Sequence, residues 1–427
     1  MLRLTLRNIR CFPELVVDFG HSGRPTDWTL VLGNNASGKS TLLRALALSL
    51  APSTDLGSML HADGDSWAGP ESGPGEIVLT LHVDGEELER TLTLTSARRS
   101  TVAFSTSGSA NAYLEEKPLL LAGYGAARQL QGTKEFTVYS RFDSTSTLMS
   151  MNGALQNPEL AVRRVVANAD PKPLLERIDH ILLLEPGSTV LSSAGLVVRG
   201  PDGVMRPLTQ LSDGFRGTLS WVMDFIGWQF MAGEYFGLDE VPAIVIVDEI
   251  EQHLHPQWQR AVIARLREQF PAVQFIVSTH APLCVIGSTD LADEDVSLVY
   301  VERGRGEDGQ AWSRAQSGML PPRDLRADQV LTSYLFGLSS TRAHGVEDSI
   351  KELSSLLSRE QRSPAEQERV VALRRELEPL LGSAETEIER EVQREALAAA
   401  KRVIARELGR LSPEEREQIL DIDHPVE

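Results

Sequence analysis

Apolar and polar residues alternate at the start of the chain, where Leu2, Leu4, Leu6 and Ile9 mark a half-buried strand. Trp28–Leu32 is instead a continuous apolar run that ends at Gly33, and Thr41–Leu50 (TLLRALALSL) has helix-forming composition. Strand, glycine-bearing loop and helix therefore follow one another directly. Residues 52–75, rich in Gly, Pro, Ser and Asp, are expected to form a loop. Period-two alternation returns in 76–83 (EIVLTLHV) and 88–95 (LERTLTLT), and the intervening Asp84-Gly85-Glu86-Glu87 predicts a hairpin. Residues 101–106 are a candidate third strand, and 118–124 (PLLLAGY) reads as a more buried one.

Helices are expected around 158–166 and 172–184, and a hairpin near 188–206. From 208 the pattern sharpens into an apolar helix at Thr218–Phe236, a buried strand at Pro242–Val247, an amphipathic helix at Pro256–Gln269 and a second buried strand at Val273–Ser278. A shorter strand follows at Val296–Val301. Strands alternating with helices in this way predict a parallel α/β sheet. From about residue 345 the chain is charged, more acidic than basic, and almost free of aromatics. Ser363-Pro364-Ala365-Glu366 reads as a capping box with proline at the first helical position, and Ser412-Pro413-Glu414-Glu415 repeats it. Ile388, Val392, Ala396, Ala399, Val403 and Leu408 form a narrow stripe at helical spacing. The tail is either a small bundle packed on the main domain or a surface for oligomerisation or a partner.

The 427 residues suffice for one large domain or two to three smaller ones. Cys11 and Cys284 lie far apart without ligand spacing, so no structural zinc is expected, a reducing cytosol is the default, and each thiol reads as a small buried residue. The opening MLRLTLRNIRCF has neither signal-peptide nor transit-peptide character, and no apolar run reaches about 18 residues. The expectation is a cytoplasmic protein without a membrane span. A net charge of −18 does not advertise a broad nucleic-acid surface, although a sum leaves a local basic groove open. The pairs Arg98-Arg99 and Arg163-Arg164 read as solvated surface.

Four motifs carry candidate chemistry. Gly33-Asn34-Asn35-Ala36-Ser37-Gly38-Lys39-Ser40-Thr41 fits GxxxxGK[ST], in which main-chain N–H groups and the helix start cradle a phosphate. Lys39 would reach the β- and γ-phosphates, and the Ser40 hydroxyl would face Mg²⁺. Ile244-Val245-Ile246-Val247-Asp248-Glu249 sets an acidic pair at the C-terminal end of a buried strand, where open α/β sheets bind ligands. Asp248 is the candidate for holding Mg²⁺, and Glu249 for the base that activates a water. Ser212-Asp213-Gly214, in LSDGFR, opens a helix and offers a hydroxyl and N–H groups to a phosphate; alone it is an ordinary helix cap. His280, in FIVSTH, follows a buried strand and could meet a γ-phosphate; alone it is an ordinary hydrogen-bonded histidine. Their order along the chain makes a joint coincidence far less probable than any single one.

In that order the motifs resemble those of ABC-type ATPases, in the branch that holds RecF, SMC/Rad50 and OLD-type proteins. The opening LRNIRCF resembles the branch's start, Asp248-Glu249-Ile250-Glu251-Gln252-His253-Leu254-His255-Pro256 its Walker B and D-loop, and Ser278-Thr279-His280-Ala281-Pro282 its His switch. The resemblance implies an α/β fold: an ABC head of mixed sheet, with a P-loop core and an antiparallel β subdomain, a helical insertion and a C-terminal helical tail. The head would span 1–343, with a lobe at about 51–205, and the tail 344–427. ATP and Mg²⁺ are the implied cofactors. Two heads would pair head-to-tail, each ATP lying between Gly33–Thr41 of one chain and Ser212–Gly214 of the other, with Glu251 to Pro256 crossing the interface. His280 would sense the γ-phosphate. A glutamine would link the Mg²⁺ site to the lobe, with Gln129 the candidate and Gln131 its competitor.

LSDGF in place of LSGGQ, and HLHP in place of SALD, disfavour a transporter ATPase. No long coiled coil splits the head, so a Rad50-like rod does not fit. Asp293, Asp295 and Glu302 lack the pattern of a Toprim nuclease, and no nuclease centre is expected. His253 and His255, at i,i+2 on a loop, are poorly spaced for zinc. LLLAGYGAARQ and LRADQVLTSYLFGLSSTR resemble stand-alone bacterial ATPases, several of which serve anti-phage systems, such as the ATPase subunit of Septu beside its HNH nuclease. The implied function is an ATP-driven switch, a homodimer or higher oligomer controlling an effector such as an HNH nuclease or a toxin. The alternatives are a RecF-like ATPase that grips DNA and a scaffold that binds ATP with little turnover.

Overall fold

The computed structural model describes residues 1–381, apart from 22, 63–66, 68, 70–72, 97–101, 117–118, 129–135, 169, 193–194, 201, 233–240, 306–308, 310 and 360–362. The chain divides into two units, Met1–Ser339 and Ser340–Glu427.

The first unit is built on a six-stranded sheet. Leu120–Tyr124, Ala243–Val247, Val273–Ser278, Trp28–Leu32 and Val296–Arg305 lie in that spatial order and run parallel, and Ala311–Met319 adds an antiparallel edge. The inner strands are buried on both faces, which is why they read as unbroken apolar runs. Because side chains alternate across a strand, each strand feeds two cores. Leu30, Val245, Val247, Phe275 and Val277 join the aromatic-rich core of the Asp213–Ala232 and Pro256–Gln269 helices. Val31, Ile244, Ile246 and Ile276 join Leu42, Leu43 and Leu46 of the Lys39–Leu50 helix on the other face.

That second core is closed by a five-stranded antiparallel sheet, in the order Phe12–Asp18, Arg3–Ile9, Gly75–Val83, Glu86–Ser96 and Val102–Ser107. Leu4, Leu6, Ile77, Leu79, Leu92 and Leu94 are its inward-facing residues. Asp84 (φ 51°) and Gly85 (φ 87°) make the tight turn between the central strands, the doubly left-handed geometry that suits two-residue hairpins. The Lys39–Leu50 helix is thus held between two sheets.

Two expectations change. Residues 53–62 form a helix rather than a loop, because Leu56, Met59 and Leu60 share one face and bury it despite the turn-like composition around them. The 188–206 hairpin is a three-stranded sheet of Thr189–Ser192, Gly195–Arg199 and Met205–Pro207. Among the described residues, no helix is long and apolar enough to cross a membrane.

In the second unit, helices His344–Leu357 and Pro364–Leu381 meet through Leu356, Val370 and Leu373. Ser363 and Glu366 bond reciprocally: the Ser363 N–H donates to Glu366 Oε2 at 2.8 Å, and the Glu366 N–H donates to Ser363 Oγ at 3.3 Å. The second capping signal at Ser412 and the stripe from Ile388 to Leu408 lie outside the described residues.

Candidate functional site

Parallel strands bring their C-terminal ends to one edge, and there the chain gathers Gly33–Thr41, Asp248-Glu249 and Ser278-Thr279-His280. The phosphate-loop helix starts at Lys39 after Gly38, which sits at φ 103° with the Phe12 ring 2.4 Å and Cys11 Sγ 2.9 Å from where a Cβ would be. Only glycine fits there. Asn34, Asn35 and Ala36 are exposed, and with Ser37 and residues 302–305 they line a cavity of about 340 Å³. Ser37 is buried, and its Oγ has no hydrogen-bond partner among the described residues. Ser40 and Thr41 are half-buried in the first helical turn.

Lys39 is 6 % exposed and folds back into its own loop, its Nζ donating to the carbonyls of Gly33 (2.8 Å) and Asn34 (3.0 Å). Burial lowers its ammonium below the usual lysine range, and the carboxylates of Asp248, Glu249 and Glu251 oppose that shift. The cation of one motif and the anions of another thus share one electrostatic neighbourhood.

The acidic loop is clamped by main-chain bonds. The Asp248 N–H donates to Tyr124 O at 2.7 Å, and the Ile250 N–H to Ser278 O at 3.1 Å. Ser278 Oγ donates to Asp248 Oδ1 at 2.5 Å and accepts the Glu249 N–H at 2.8 Å. Glu249 has φ 52°, in the left-handed region. The His280 N–H donates to Glu251 Oε1 at 2.6 Å, tying the acidic loop to the segment after the neighbouring strand. Arg128, which composition did not single out, donates from Nη2 to Glu249 O at 2.7 Å.

Ser212, Asp213 and Gly214 open the Asp213–Ala232 helix, five residues earlier than periodicity indicated. Ser212 and Asp213 are exposed, and the His253 carbonyl approaches within 2.2 Å of where a Gly214 Cβ would be. Asp213, with Arg128, Asn157, Arg216 and His253, lines a cavity of about 750 Å³ distinct from the one beside the phosphate loop. Gln129 and Gln131 lie outside the described residues. Asp293, Asp295 and Glu302 are ion-paired to Arg323, Arg267 and Arg314. His255 caps the Pro256–Gln269 helix, its Nδ1 accepting the Gln257 N–H at 3.4 Å. The Cys284 thiol is buried and pushed up to about 12; Cys11 is half-buried beside the phosphate loop. Three residues that matter here, Arg128, Ser278 and Glu251, make bonds to main-chain groups of remote segments; Ser278 and Glu251 fall within quoted motifs, whereas Arg128 had no motif to give it a role.

Residues 3–112 match the family described as "AAA domain", and residues 148–285 the family described as "AAA domain, putative AbiEii toxin, Type IV TA system". The chain carries an AAA-type ATPase domain. It is homologous, at low identity, to the Septu protein PtuA of Bacillus mycoides (strain KBAB4), being 24 % identical over 347 residues that make up 79 % of this chain and 45 % of that protein. A shorter stretch of 56 residues, 13 % of this chain, is 43 % identical to 10 % of the "Retron Vc95 probable ATPase" of Vibrio cholerae serotype O1 biovar El Tor. The SMC head domain from Thermotoga maritima is similar at a TM-score of 0.42 and 16 % identity, over 73 % of this chain and 97 % of that one. The chain spans less than half the length of these curated relatives.

Proposed function

We propose that the chain binds and hydrolyses Mg-ATP, that two heads close head-to-tail on the nucleotide, and that closure controls a partner effector, a nuclease of the HNH kind or a toxin, in bacterial anti-phage defence. The observation that carries this reading is the shared neighbourhood of the Lys39 ammonium with Asp248 and Glu249 at one edge of the parallel sheet. The donor chemistry fits a polyphosphate with Mg²⁺. Ser37 Oγ is a buried hydroxyl without a partner among the described residues, the phosphate-loop helix offers its first N–H groups, and Ser40 and Asp248 would supply hard oxygens of the kind Mg²⁺ takes alongside phosphate oxygens. When bound, Mg²⁺ would offset phosphate charge. In this reading Lys39 exchanges its bonds to Gly33 and Asn34 for phosphate oxygens, Glu249 takes the proton of the attacking water, and His280 holds the γ-phosphate side. Gly33–Thr41 cradles the phosphates, and the partner's Ser212–Gly214 would complete the site. The similarity to a Septu protein and a retron ATPase supports the defence setting.

The test pairs two variants with the unmutated protein. Lys39→Ala should abolish ATP binding by calorimetry. Glu249→Gln should keep binding, lose turnover by roughly 100-fold or more, and accumulate as an ATP-bound dimer by light scattering. Normal turnover in Glu249→Gln would remove that residue as the base. Absence of nucleotide uptake by the unmutated chain would end the reading altogether.

A further inference from the structure

Arg128 lies just beyond the Leu120–Tyr124 strand, and its guanidinium reaches the acidic loop from the side opposite Ser278. Its Nη2 donates to Glu249 O at 2.7 Å, while its Nη1 is buried and has no acceptor among the described residues. Asp248, Glu251 and Glu249 all act on its charge; burial pushes the group down to about 10, and these carboxylates hold it up. The side chain borders two cavities, one of about 240 Å³ shared with Thr218, Trp221 and Gln252, the other the groove of about 750 Å³ beside Asp213.

What the guanidinium holds is unusual. Glu249 is a glutamate at φ 52°, a conformation that L-residues avoid because Cβ crowds the following carbonyl. Such a residue persists only where its surroundings over-determine it. Glu249 is gripped at both of its peptide groups, its N–H by Ser278 Oγ and its carbonyl by Arg128 Nη2 (2.7 Å) and the Gln252 N–H (3.1 Å). The direction of the glutamate side chain follows from that main chain. Without Arg128 the carbonyl would keep only the longer bond from the Gln252 N–H, a local turn contact, and the main chain would be freer to relax and swing the carboxylate away.

We propose that Arg128 is a positioning residue for hydrolysis: it acts through Glu249, fixing the left-handed backbone that aims the carboxylate. The proposal rests on the ATPase reading above. Arg128 directly precedes Gln129, the residue expected from the sequence to link the Mg²⁺ site to the lobe, and its role here is a different one. A merely structural arginine would lower melting temperature, binding and turnover together. A positioning arginine separates turnover from binding.

The test uses the full-length protein. Dissociation constants for Mg-ATP, steady-state kcat and melting temperature are measured for the unmutated chain, Arg128→Ala and Arg128→Lys, and for Arg128→Ala with millimolar methylguanidinium. In Arg128→Ala, kcat should fall roughly 100-fold, the scale of a misplaced catalytic group, with the dissociation constant within about 3-fold. Arg128→Lys, which keeps one donor and the charge, should recover about 10-fold of that loss, and methylguanidinium should recover part. Unaltered kcat in Arg128→Ala overturns the proposal and leaves the ATPase reading standing. So does a parallel loss of binding, turnover and melting temperature that Arg128→Lys does not relieve. Should Arg128→Ala not fold, Arg128→Lys decides: a kcat lowered roughly 10-fold at unchanged affinity supports the role, and an unchanged kcat overturns it. An unmutated chain that neither binds nor hydrolyses ATP overturns both readings, and that failure is visible without any variant.

Discussion

Ser278 Oγ sits 2.5 Å from Asp248 Oδ1, across two parallel strands whose registers place Val247 opposite Val277. The same oxygen accepts the Glu249 N–H. One buried hydroxyl therefore orients a carboxylate from its side chain and the next residue from its backbone, so the acidic pair is set by its neighbouring strand as much as by its own.

Ser278→Ala removes both bonds and leaves a loop N–H without an acceptor. The expected loss is about 1–3 kcal/mol in denaturant unfolding, the cost of stranding a buried polar group. ATP turnover should drop with it. A variant as stable and as active as the parent would show that Asp248 and Glu249 are held by something else.

Gly214 faces the His253 carbonyl, 2.2 Å from where an added methyl would sit, and main-chain oxygen cannot step aside as a side chain would. Gly214→Ala should displace the 251–255 loop and cost about 1–3 kcal/mol. Since the phosphate loop is untouched, ATP binding should persist while ATP-dependent dimerisation is lost. Light scattering with and without nucleotide reads the difference; dimers at parental levels would sink the expectation.

How much of this was legible follows from what each element asks of its residues. Trp28–Leu32 and Ala243–Val247 were readable because burial on both faces demands unbroken apolar runs. Pro256–Gln269 was readable to the residue because His255 and Pro256 punctuate its start. The Ser53–Ala62 helix was not, since three apolar residues had to outweigh a turn-like composition. Ala311–Met319 left no trace: an edge strand with Ser313, Arg314, Gln316 and Ser317 has no face that must alternate. Lys39, Asp248 and Glu249 announced themselves by motif. Arg128 did not, because its importance depends on a carbonyl 121 residues away.

The phosphate-loop helix ends in two buried arginines. Arg90 Nη1 donates to the carbonyls of Ser49 (3.3 Å) and Ala51 (2.5 Å), and Arg141 donates to Leu50 O (3.2 Å), Leu114 O (2.8 Å) and Leu119 O (3.1 Å). They satisfy carbonyls that a helix C-terminus leaves open and put positive charge at its negative end. Arg141→Ala takes the guanidinium from the buried Leu50 and Leu114 carbonyls, while Leu119 O keeps the Tyr139 hydroxyl at 3.4 Å, and should cost about 3 kcal/mol, read as a lower midpoint in urea at unchanged slope. A midpoint within error of the parent would mean the carbonyls find other donors.

Asp224, on the Asp213–Ala232 helix, is 2 % exposed and accepts three bonds, from Tyr124 OH (2.9 Å), Trp228 Nε1 (2.7 Å) and the Gln156 N–H (2.7 Å). Burial raises its carboxyl from 3.8 to about 6, and these bonds only partly offset the rise. Between pH 4 and 6 the unfolded chain has released this proton while the folded chain retains it. Stability from this group is therefore greatest below the unfolded value and falls as pH rises through that window. A rise of about two pH units corresponds to about 3 kcal/mol. Other carboxylates titrate there too, so the measurement is a difference. Asp224→Asn cannot ionise, and between pH 4 and 6.5 its stability relative to the parent should climb by about 2 kcal/mol, most of the full amount. The amide facing the Gln156 N–H adds a constant offset that pH does not move. Parallel stability curves for the two proteins across that range would mean that the Asp224 carboxyl titrates alike in the folded and unfolded chain.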